Sequence, residues 1–196
     1  MSYRETQNMR IVAGEFKGRK ILAPEGKNTR PTTDRVRESV FNLLAHNPDI
    51  PTVEGARVID LFAGSGALGF EAMSRGAVFC LFVEIAAGAR GIIRSNIENF
   101  QLFGNTRIHR RSATDLGPKP NGVGEPFDLV FIDPPYGQEL VAPALRQLEM
   151  GGWIKDGAIA IIETGMEEEQ NIETWSLVTE REYGETRVAV YQYGVA

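Results

Sequence analysis

The stretch from Val58 to Gly69 constrains the fold of this chain more than any other. Its sequence, VIDLFAGSGALG, is an apolar run of strand length that ends at a carboxylate, a glycine-rich turn, and then helix-compatible residues at 70–75. Gly64, Gly66 and Gly69 have the spacing G-x-G-x-x-G, which lets a backbone turn sharply and approach a ligand at a helix N-terminus. The pattern predicts a strand, a tight turn and a helix that form part of a nucleotide-binding unit.

The charges beside this turn indicate which cofactor it binds. Asp60 would repel the pyrophosphate of a dinucleotide, whereas it would attract the sulfonium and ammonium groups of S-adenosylmethionine. Glu84 lies 20 residues after Gly64, at the end of a second apolar strand at 77–83. An acid there accepts hydrogen bonds from ribose hydroxyls in either cofactor class. We therefore expect S-adenosylmethionine to be bound by Asp60, Gly64, Ser65, Gly66 and Glu84, with free backbone N–H groups of the turn on its carboxylate.

The bulk composition fits one globular domain with a small extension. A chain of 196 residues, 42% of them hydrophobic, buries roughly 70% of its extended surface and needs no disulfide or metal. The single cysteine, Cys80, lies in an apolar strand, which predicts a buried thiol in a reducing compartment. His46 and His109 are far apart in the sequence and do not indicate a metal site. We expect a cytoplasmic monomer without metal or membrane association.

The net charge of −5 hides an asymmetry. The first 40 residues carry nine Lys and Arg against five Asp and Glu, whereas the rest carry 12 against 21. The acidic total argues against a protein that coats nucleic acid without specificity, because that mode needs broad phosphate neutralisation. The basic first fifth is compatible with binding one chosen RNA or ribonucleoprotein surface.

The basic region begins with a predicted β-hairpin. Short strand candidates at 10–13 and 19–22 are joined through Gly14 and Gly18, which indicates an N-terminal extension at 1–30 ahead of a main domain at 31–196. Its polar positions form either a solvated hairpin face or a set of phosphate contacts, and the basic excess favours phosphate contacts. The expected RNA-binding residues are Arg10, Lys17, Arg19, Lys20, Arg30, Arg35 and Arg37.

A helix is predicted after the extension, because apolar residues from Val36 to Leu44 have the spacing of one buried stripe. Thr33 or Asp34 is its expected N-cap. The cap has two possible roles: stabilising the helix by roughly 1 kcal/mol, or closing over the amino-acid end of the cofactor. Thr33 is accordingly a candidate cofactor-binding residue.

From residue 51 onward, short apolar strands alternate with helical stretches, which predicts a parallel sheet covered on both faces. Beyond the first two strands, the predicted strands lie at 106–111, 127–132 and 158–163, and the predicted helices at 86–103 and 138–150. After the third strand, Ser112 to Asp115 is expected to frame an adenine ring, with Ala113 in contact. A closing hairpin at 175–182 and 186–193 fits the methyltransferase variant of the Rossmann architecture, a mostly parallel seven-stranded sheet.

The motif Asp133-Pro134-Pro135-Tyr136 follows the fourth apolar strand. In open α/β sheets this edge binds ligands, so we expect the motif to face the glycine turn across a crevice. The two prolines fix φ and donate no hydrogen bond, which gives a rigid bend with acceptors and no competing donors. Such a bend suits an exocyclic base amine, whose lone pair is delocalised into the ring.

Each residue of the motif has an expected role in amine methylation. The Asp133 carboxylate and the Pro134 carbonyl can each accept one N–H, which aims the nitrogen lone pair at the methyl group. Asp133 can also take up the released proton. Tyr136 offers a flat face for a base rotated out of its stack, at roughly 1–3 kcal/mol of stacking. The alternative is a simple turn with a packed tyrosine. The expected catalytic residues are Asp133, Pro134, Pro135 and Tyr136.

Over nearly its whole length the chain resembles the RsmD-type family of bacterial 16S rRNA (guanine(966)-N2)-methyltransferases. The resemblance rests on RIVAGEFKGRK at 10–20, RPTTDRVRE at 30–38, the glycine turn, and the motif at 133–136. The last two segments are shared with many amino methyltransferases, and the first two are specific. The resemblance implies a Rossmann-like class I S-adenosylmethionine-dependent methyltransferase. It also implies a substrate, a guanine in a hairpin loop of 16S rRNA, within the small ribosomal subunit or an assembly intermediate.

The sequence departs from the family pattern at two positions, and other functions stay open. Ala86 stands where a second acid often follows the ribose acid, and Ser112 where Asp or Asn is frequent; both changes are expected to weaken cofactor binding. The same motif chemistry would serve adenine N6 or cytosine N4, in RNA or DNA. A nicotinamide dehydrogenase and an inactive RNA-binding assembly module are alternatives from other classes.

Overall fold

The computed structural model describes residues 9–23, 34–48, 50–168 and 172–194. It contains one seven-stranded sheet in the order β3-β2-β1-β4-β5-β7-β6. The strands are β1 Arg57–Leu61, β2 Phe79–Val83, β3 Thr106–His109, β4 Phe127–Ile132, β5 Ile154–Gly165, β6 Trp175–Tyr183 and β7 Thr186–Tyr193. Strands β1 to β5 pair in parallel, and β7 runs antiparallel to both of its neighbours. The predicted parallel sheet with an antiparallel closing hairpin is confirmed.

Helices cover both faces of the sheet, as the nearly continuous apolar strands require. The helices are α1 Asp34–His46, α2 Ala67–Ser74, α3 Ala87–Phe100 and α4 Val141–Met150. Apolar side chains of α1, α2 and α3 form one core cluster with one side of the sheet, which we call the α2 face. Helix α4 and Trp153 form the other cluster, the α4 face. A short 3₁₀ turn at 121–123 precedes β4.

The predicted elements are present with shifted ends. Helix α3 is predicted at 86–103 and spans 87–100. It ends there because Gln101 adopts a left-handed conformation with φ of 61°. Strand β5 extends well beyond the predicted 158–163, since its first residues pair with Phe127 before a register shift. Within the described ranges, no helix is long and apolar enough to cross a membrane.

The N-terminal segment 9–23 packs into the α2 face. Met9, Ile11, Phe16 and Ile21 are all buried in that core cluster. Two strands were predicted here, but the segment contains only a single antiparallel bridge, between Arg10 and Lys20. Three main-chain hydrogen bonds nevertheless join its two arms in an irregular hairpin, and other main-chain groups of the segment bond to side chains of α2 and α3. The predicted domain boundary at residue 30 lies outside the described residues.

Candidate active site

Four adjacent strands carry acidic residues at the carboxyl edge of the sheet. In sheet order, Glu84 follows β2, Asp60 lies in β1, Asp133 follows β4, and Glu163 lies near the end of β5. Each is two residues beyond a member of the α2 face, so strand alternation brings the four carboxylates to one side. The row presents negative charge to a cationic or N–H-donating ligand. Among the described residues, no group of three or more His, Cys, Asp or Glu could hold a metal ion.

The turn between β1 and α2 is built from left-handed residues. Phe62, Gly64 and Gly66 have φ values of 59°, 54° and 80°. Phe62 is the one residue of these three that is not glycine. A bulky side chain in the left-handed region of φ and ψ costs about 1–3 kcal/mol of strain. Its neighbour Ala63 donates its N–H to Val83 O at 3.1 Å, and Gly66 donates to Ala63 O at 2.6 Å. The chain therefore reverses sharply at the end of β1, beside the end of β2.

The three motif glycines have different roles. A Cβ at Gly69 would lie 2.4 Å from a Phe82 ring carbon, and one at Gly66 would lie 2.6 Å from a Phe70 ring carbon. Both glycines therefore allow helix α2 to pack closely on β2. A Cβ at Gly64 would meet nothing nearer than Phe62 O at 3.9 Å. Of the three, Gly64 is the one that faces open space, where a ligand can approach the backbone. Contact of Gly64, Ser65 and Gly66 with the cofactor stays a prediction.

Asp60 lies beneath this turn and is only 2% exposed. Its Oδ2 accepts a hydrogen bond from the N–H of Gly69 at 3.0 Å, so the carboxylate holds the first turn of α2. Burial raises the pKa of the Asp60 carboxyl well above its ordinary value, and the charges of Asp133 and Glu84 raise it further. The Gly69 hydrogen bond opposes these effects. A bound cation would relieve this electrostatic penalty, which agrees with the predicted attraction for a sulfonium or ammonium group.

Glu84 holds the other side of the turn. Its Oε2 accepts the N–H of Gly64 at 2.9 Å, and its Oε1 accepts the N–H of Ala86 at 2.7 Å. The carboxylate is partly buried and still has acceptor capacity, since a carboxylate offers about four lone-pair sites. The expected ribose contact stays a prediction. Ala86, where the family often has an acid, is the N-cap residue of α3 and makes no side-chain cap bond.

The Asp133 to Tyr136 corner lies next to the glycine turn. Asp60 pairs with Phe131 across β1 and β4, so Asp133 leaves the sheet beside Phe62. Asp133 is partly buried and Pro134 is buried, whereas Pro135 is exposed. The charge of Asp133 also helps to raise the pKa of Asp60, which agrees with this neighbouring position. The strand ends that carry the two motifs are therefore adjacent, and a shared ligand site between them stays a prediction.

The ring of Tyr136 is 36% exposed, but its hydroxyl is held. The hydroxyl donates to Glu163 Oε1 at 3.0 Å and lies 3.2 Å from Thr186 Oγ1. Burial raises the pKa of Tyr136 to about 12, and the nearby Glu163 and Asp133 charges contribute to this shift. Tyr136 is thus a neutral, fixed ring with one accessible part. Next in the chain, the N–H of Gly137 donates to Glu168 Oε1 at 2.9 Å, and this bond also holds the main chain after the motif.

The segment expected to frame adenine follows β3. Ser112 forms a bridge with Asp115, and its hydroxyl lies 2.9 Å from Thr114 Oγ1. Ala113 itself is only 4% exposed and packs in the α4 face, so its side chain offers little surface to a ligand. Any adenine contact there would use the main chain of the turn.

The predicted RNA-binding residues have different environments. Arg10, Lys17, Arg19 and Lys20 on segment 9–23 are exposed, as is Arg35 on α1. The guanidinium of Arg19 lies 4.8 Å from the ring centroid of Phe100 and also donates to Asn99 O. Arg30 and the proposed cofactor residue Thr33 lie outside the described residues.

For Arg37, the prediction of an RNA contact is wrong. Its side chain is 0% exposed, and its Nε lies 3.5 Å from Glu71 Oε2, which is equally buried. Arg37 also donates to the carbonyl oxygen of Arg10. An arginine in a basic stretch is expected to be a surface residue, but the charge of Arg37 compensates a buried carboxylate. Arg37 therefore joins α1, α2 and the N-terminal segment.

Sequence analysis missed the residues that hold segment 9–23 in place. Glu71 accepts the N–H groups of Val12 and Ala13 at 2.8 and 3.0 Å, and Arg75 donates to it at 2.9 Å. Ser74 Oγ accepts the N–H of Phe16 at 2.9 Å. Asn96, which is fully buried, bonds both main-chain groups of Leu22. A lone acid in the otherwise apolar helix 67–73 was the available signal for Glu71.

Comparison with known proteins places this geometry in a family. The family model of conserved hypothetical protein 95 matches residues 9–192, nearly the whole chain. This chain belongs to that family. Within the conserved hypothetical protein 95 family, the chain is similar to ribosomal RNA small subunit methyltransferase D of Escherichia coli strain K12. The two are 36% identical over 188 residues, which cover 94% of this chain and 89% of the relative. The resemblance to the RsmD-type family is confirmed.

Solved structures confirm the fold class. The Escherichia coli protein yhhF superimposes with a TM-score of 0.78 at 33% identity, covering 96% of this chain and 99% of that chain. The methyltransferase fold is shared more distantly with SMU.776, which was solved with SAH, at a TM-score of 0.59 and 15% identity over 80% of this chain and 49% of that one. The predicted Rossmann-like methyltransferase fold is confirmed, and S-adenosylmethionine as the cofactor agrees with the methyltransferase name of the Escherichia coli relative.

Proposed function

We propose that this protein transfers a methyl group from S-adenosylmethionine to the exocyclic N2 of a guanine in 16S rRNA of the small ribosomal subunit. Methyl transfer to ribosomal RNA agrees with the name of the Escherichia coli relative. The observation that carries the proposal is the position of Asp133 and Tyr136 at the end of β4, beside the glycine turn at the end of β1. We infer the guanine N2 position from the family resemblance and from the chemistry of this corner.

The residues around the turn fit S-adenosylmethionine. Gly64 leaves open space on one side of the turn, and Glu84 lies at the adjacent strand end. The buried Asp60 and its acidic neighbours favour a ligand with positive charge over one with phosphates. Asp60, Gly64, Ser65 and Glu84 would hold the cofactor. Once bound, it supplies an electrophilic methyl carbon on a positively charged sulfur.

Asp133 and Pro134 make the base amine nucleophilic. Each of their oxygens accepts one N–H of the guanine N2 amine, so the nitrogen lone pair leaves conjugation and points away from the ring. The lone pair would then form the N–C bond with the methyl carbon of bound S-adenosylmethionine, and the C–S bonding pair would pass to sulfur. The amine then loses a proton, which the Asp133 carboxylate accepts. Because Asp133 is only partly buried, this proton can pass onward to water, which completes the cycle.

Tyr136 binds the base that the RNA releases from its stack. The fixed hydroxyl keeps the ring plane constant, and the accessible part of the ring stacks on the guanine. Stacking of roughly 1–3 kcal/mol offsets much of the few kcal/mol that extrusion costs. The exposed residues Arg10, Lys17, Arg19, Lys20 and Arg35, with Arg30, contact RNA phosphates around the target loop.

Mapping the modified nucleoside tests this function. Small ribosomal subunits from cells with and without the protein are digested, and the nucleosides are identified by mass spectrometry. We expect N2-methylguanosine at one 16S position to disappear without the protein. N6-methyladenosine as the missing nucleoside would instead assign adenine methylation, and an unchanged profile with particle binding would indicate an assembly module.

The variant Asp133→Ala provides the mechanistic control. Loss of the acceptor is expected to lower kcat at least about a hundredfold while binding of S-adenosylhomocysteine stays within twofold. Asp128→Ala is the matched control, since Asp128 lies near the start of β4, at the opposite edge of the sheet from Asp133, and accepts the N–H of Arg57. Normal turnover in Asp133→Ala would refute the assignment of Asp133.

A further inference from the structure

Both ends of segment 9–23 reach the glycine turn at a single residue, Ser65. At one end, Ser65 Oγ donates to Met9 Sδ at 3.9 Å. At the other end, the carbonyl oxygen of Ser65 and the main chain of Leu22 share one partner, the Asn96 amide on α3. The segment that carries the exposed cations is thus directly connected to the turn that would hold the cofactor.

Asn96 is fully buried, and its amide makes three hydrogen bonds. Oδ1 accepts the N–H of Leu22 at 2.9 Å, while Nδ2 donates to Leu22 O at 3.0 Å and to Ser65 O at 3.1 Å. Leu22 offers one donor and one acceptor, which fixes the orientation of the amide. An apolar side chain at position 96 would leave these partly buried main-chain groups without their bonds.

The Asn96 bond determines the orientation of one peptide in the turn. The Ser65 carbonyl and the Gly66 N–H belong to the same planar peptide unit, and the Gly66 N–H is bound to Ala63 O at 2.6 Å. Glu84 holds the preceding Gly64 N–H at 2.9 Å. The main chain of the turn is therefore held by two side chains, Glu84 and Asn96. Of these two, Asn96 is the one that also holds the N-terminal segment, at Leu22.

We propose that Asn96 is a positioning residue that couples RNA binding on segment 9–23 to cofactor binding at the glycine turn, an inference that rests on the proposed function. RNA contacts that order the segment strengthen the hydrogen bonds of Leu22 to Asn96 and of Met9 to Ser65. Asn96 and Met9 in turn hold the Ser65–Gly66 peptide in one orientation. By linkage, cofactor bound at the turn strengthens RNA binding by the same factor. The protein thus binds substrate and methyl donor more tightly together than separately.

The first test measures this coupling by equilibrium dialysis of labelled S-adenosylhomocysteine, with and without unmodified small ribosomal subunits. For the wild type, subunits are expected to tighten S-adenosylhomocysteine binding at least about fivefold. For Asn96→Ala the ratio falls to about one. Ser74→Ala is the matched control, because Ser74 holds the same segment at Phe16 and Ala13, away from the turn. We expect Ser74→Ala to keep the wild-type ratio.

A wild-type ratio of one, or an undiminished ratio in folded Asn96→Ala, overturns the proposal. A second measurement on the wild type decides the matter if Asn96→Ala does not fold. S-adenosylhomocysteine should slow hydrogen exchange of the Leu22 amide, which is bound to Asn96, but not of the Phe16 amide, which is bound to Ser74. Equal effects at both amides also overturn it. Neither measurement requires turnover, so failure of the guanine N2 assignment is detected separately by nucleoside mapping.

Discussion

The hydroxyl of Tyr136 donates a hydrogen bond to Oε1 of Glu163 at 3.0 Å, joining the corner after β4 to the end of β5. Thr186 Oγ1 lies 3.2 Å from the same hydroxyl, on the first residue of β7. The ring that would stack on the target base is therefore fixed by two strands that the motif itself does not include. This arrangement separates two contributions of Tyr136, its aromatic face and its hydroxyl.

Two variants of Tyr136 should distinguish these contributions. Tyr136→Phe keeps the aromatic ring and loses only the hydroxyl. We therefore expect kcat/KM for RNA to fall by no more than about tenfold, which is the size of effect expected when one or two hydrogen bonds are lost. Tyr136→Ala also removes stacking of roughly 1–3 kcal/mol, a further loss of about fivefold to 150-fold. The measurement is steady-state methylation of small subunits. Equal losses in both variants would mean that the ring does not stack on the base.

The buried Asp60 predicts a pH-dependent stability. Because burial raises the pKa of Asp60, the folded protein holds this proton more tightly than the unfolded chain does. The resulting stabilisation is present below the ordinary carboxyl pKa and is lost as pH rises through the raised value. Asp60→Asn has no such proton to lose and can still accept the Gly69 N–H. Its melting temperature relative to the wild type should therefore increase as the pH rises from the ordinary carboxyl pKa through the raised pKa of Asp60; a constant difference would contradict this.

Arg37 and Arg35 should behave oppositely although they are two residues apart. Arg37→Met leaves the buried Glu71 carboxylate without one of its two cations, which is expected to cost about 3 kcal/mol of unfolding free energy. Arg35→Met removes an exposed charge, so stability should change by less than about 0.5 kcal/mol while RNA binding weakens. Denaturant unfolding and RNA titration measure the two effects. A stable Arg37→Met protein would show that the buried pair contributes little.

The motif glycines provide another pair. Gly69→Ala would place a methyl group 2.4 Å from Phe82 and 2.7 Å from Cys80, so we expect a loss of about 1–3 kcal/mol in stability. Gly64→Ala meets no such contact, although its φ of 54° is costly for alanine by about 1–2 kcal/mol. Its methyl group extends toward the open side of the turn. S-adenosylhomocysteine affinity, measured by calorimetry, should therefore fall most in Gly64→Ala; unchanged affinity would place the cofactor elsewhere.

The sequence predicted the parts of the site that short-range patterns encode. Two apolar runs each end at an aspartate, one at Asp60 before the glycine turn and the other at Asp133. Each aspartate therefore indicates where a strand ends. Parallel pairing then brings the two ends together without further information. The fold and the adjacency of the two strand ends follow from these local patterns.

Contacts between distant segments were not predictable in this way. Glu163 and Thr186 reach Tyr136 from 27 and 50 residues away, and polar residues at strand ends have no distinctive spacing. The N-terminal arms form an irregular hairpin, and Glu71 and Asn96, 58 or more residues later, accept the main-chain N–H groups beside it. The charge of Arg37 predicts an exposed side chain, because nothing near Arg37 in the sequence shows that Glu71 is buried beside it.

The reversal of β7 has a consequence for how the site is assembled. Because this strand runs against its neighbours, it contributes its beginning, rather than its end, to the catalytic edge, and Thr186 is that first residue. In an all-parallel sheet the same position would be filled by the last residue of the strand, here Tyr193, and no small hydroxyl would reach the stacking ring. The polarity of a single strand thus decides which side chain lies beside the hydroxyl of Tyr136.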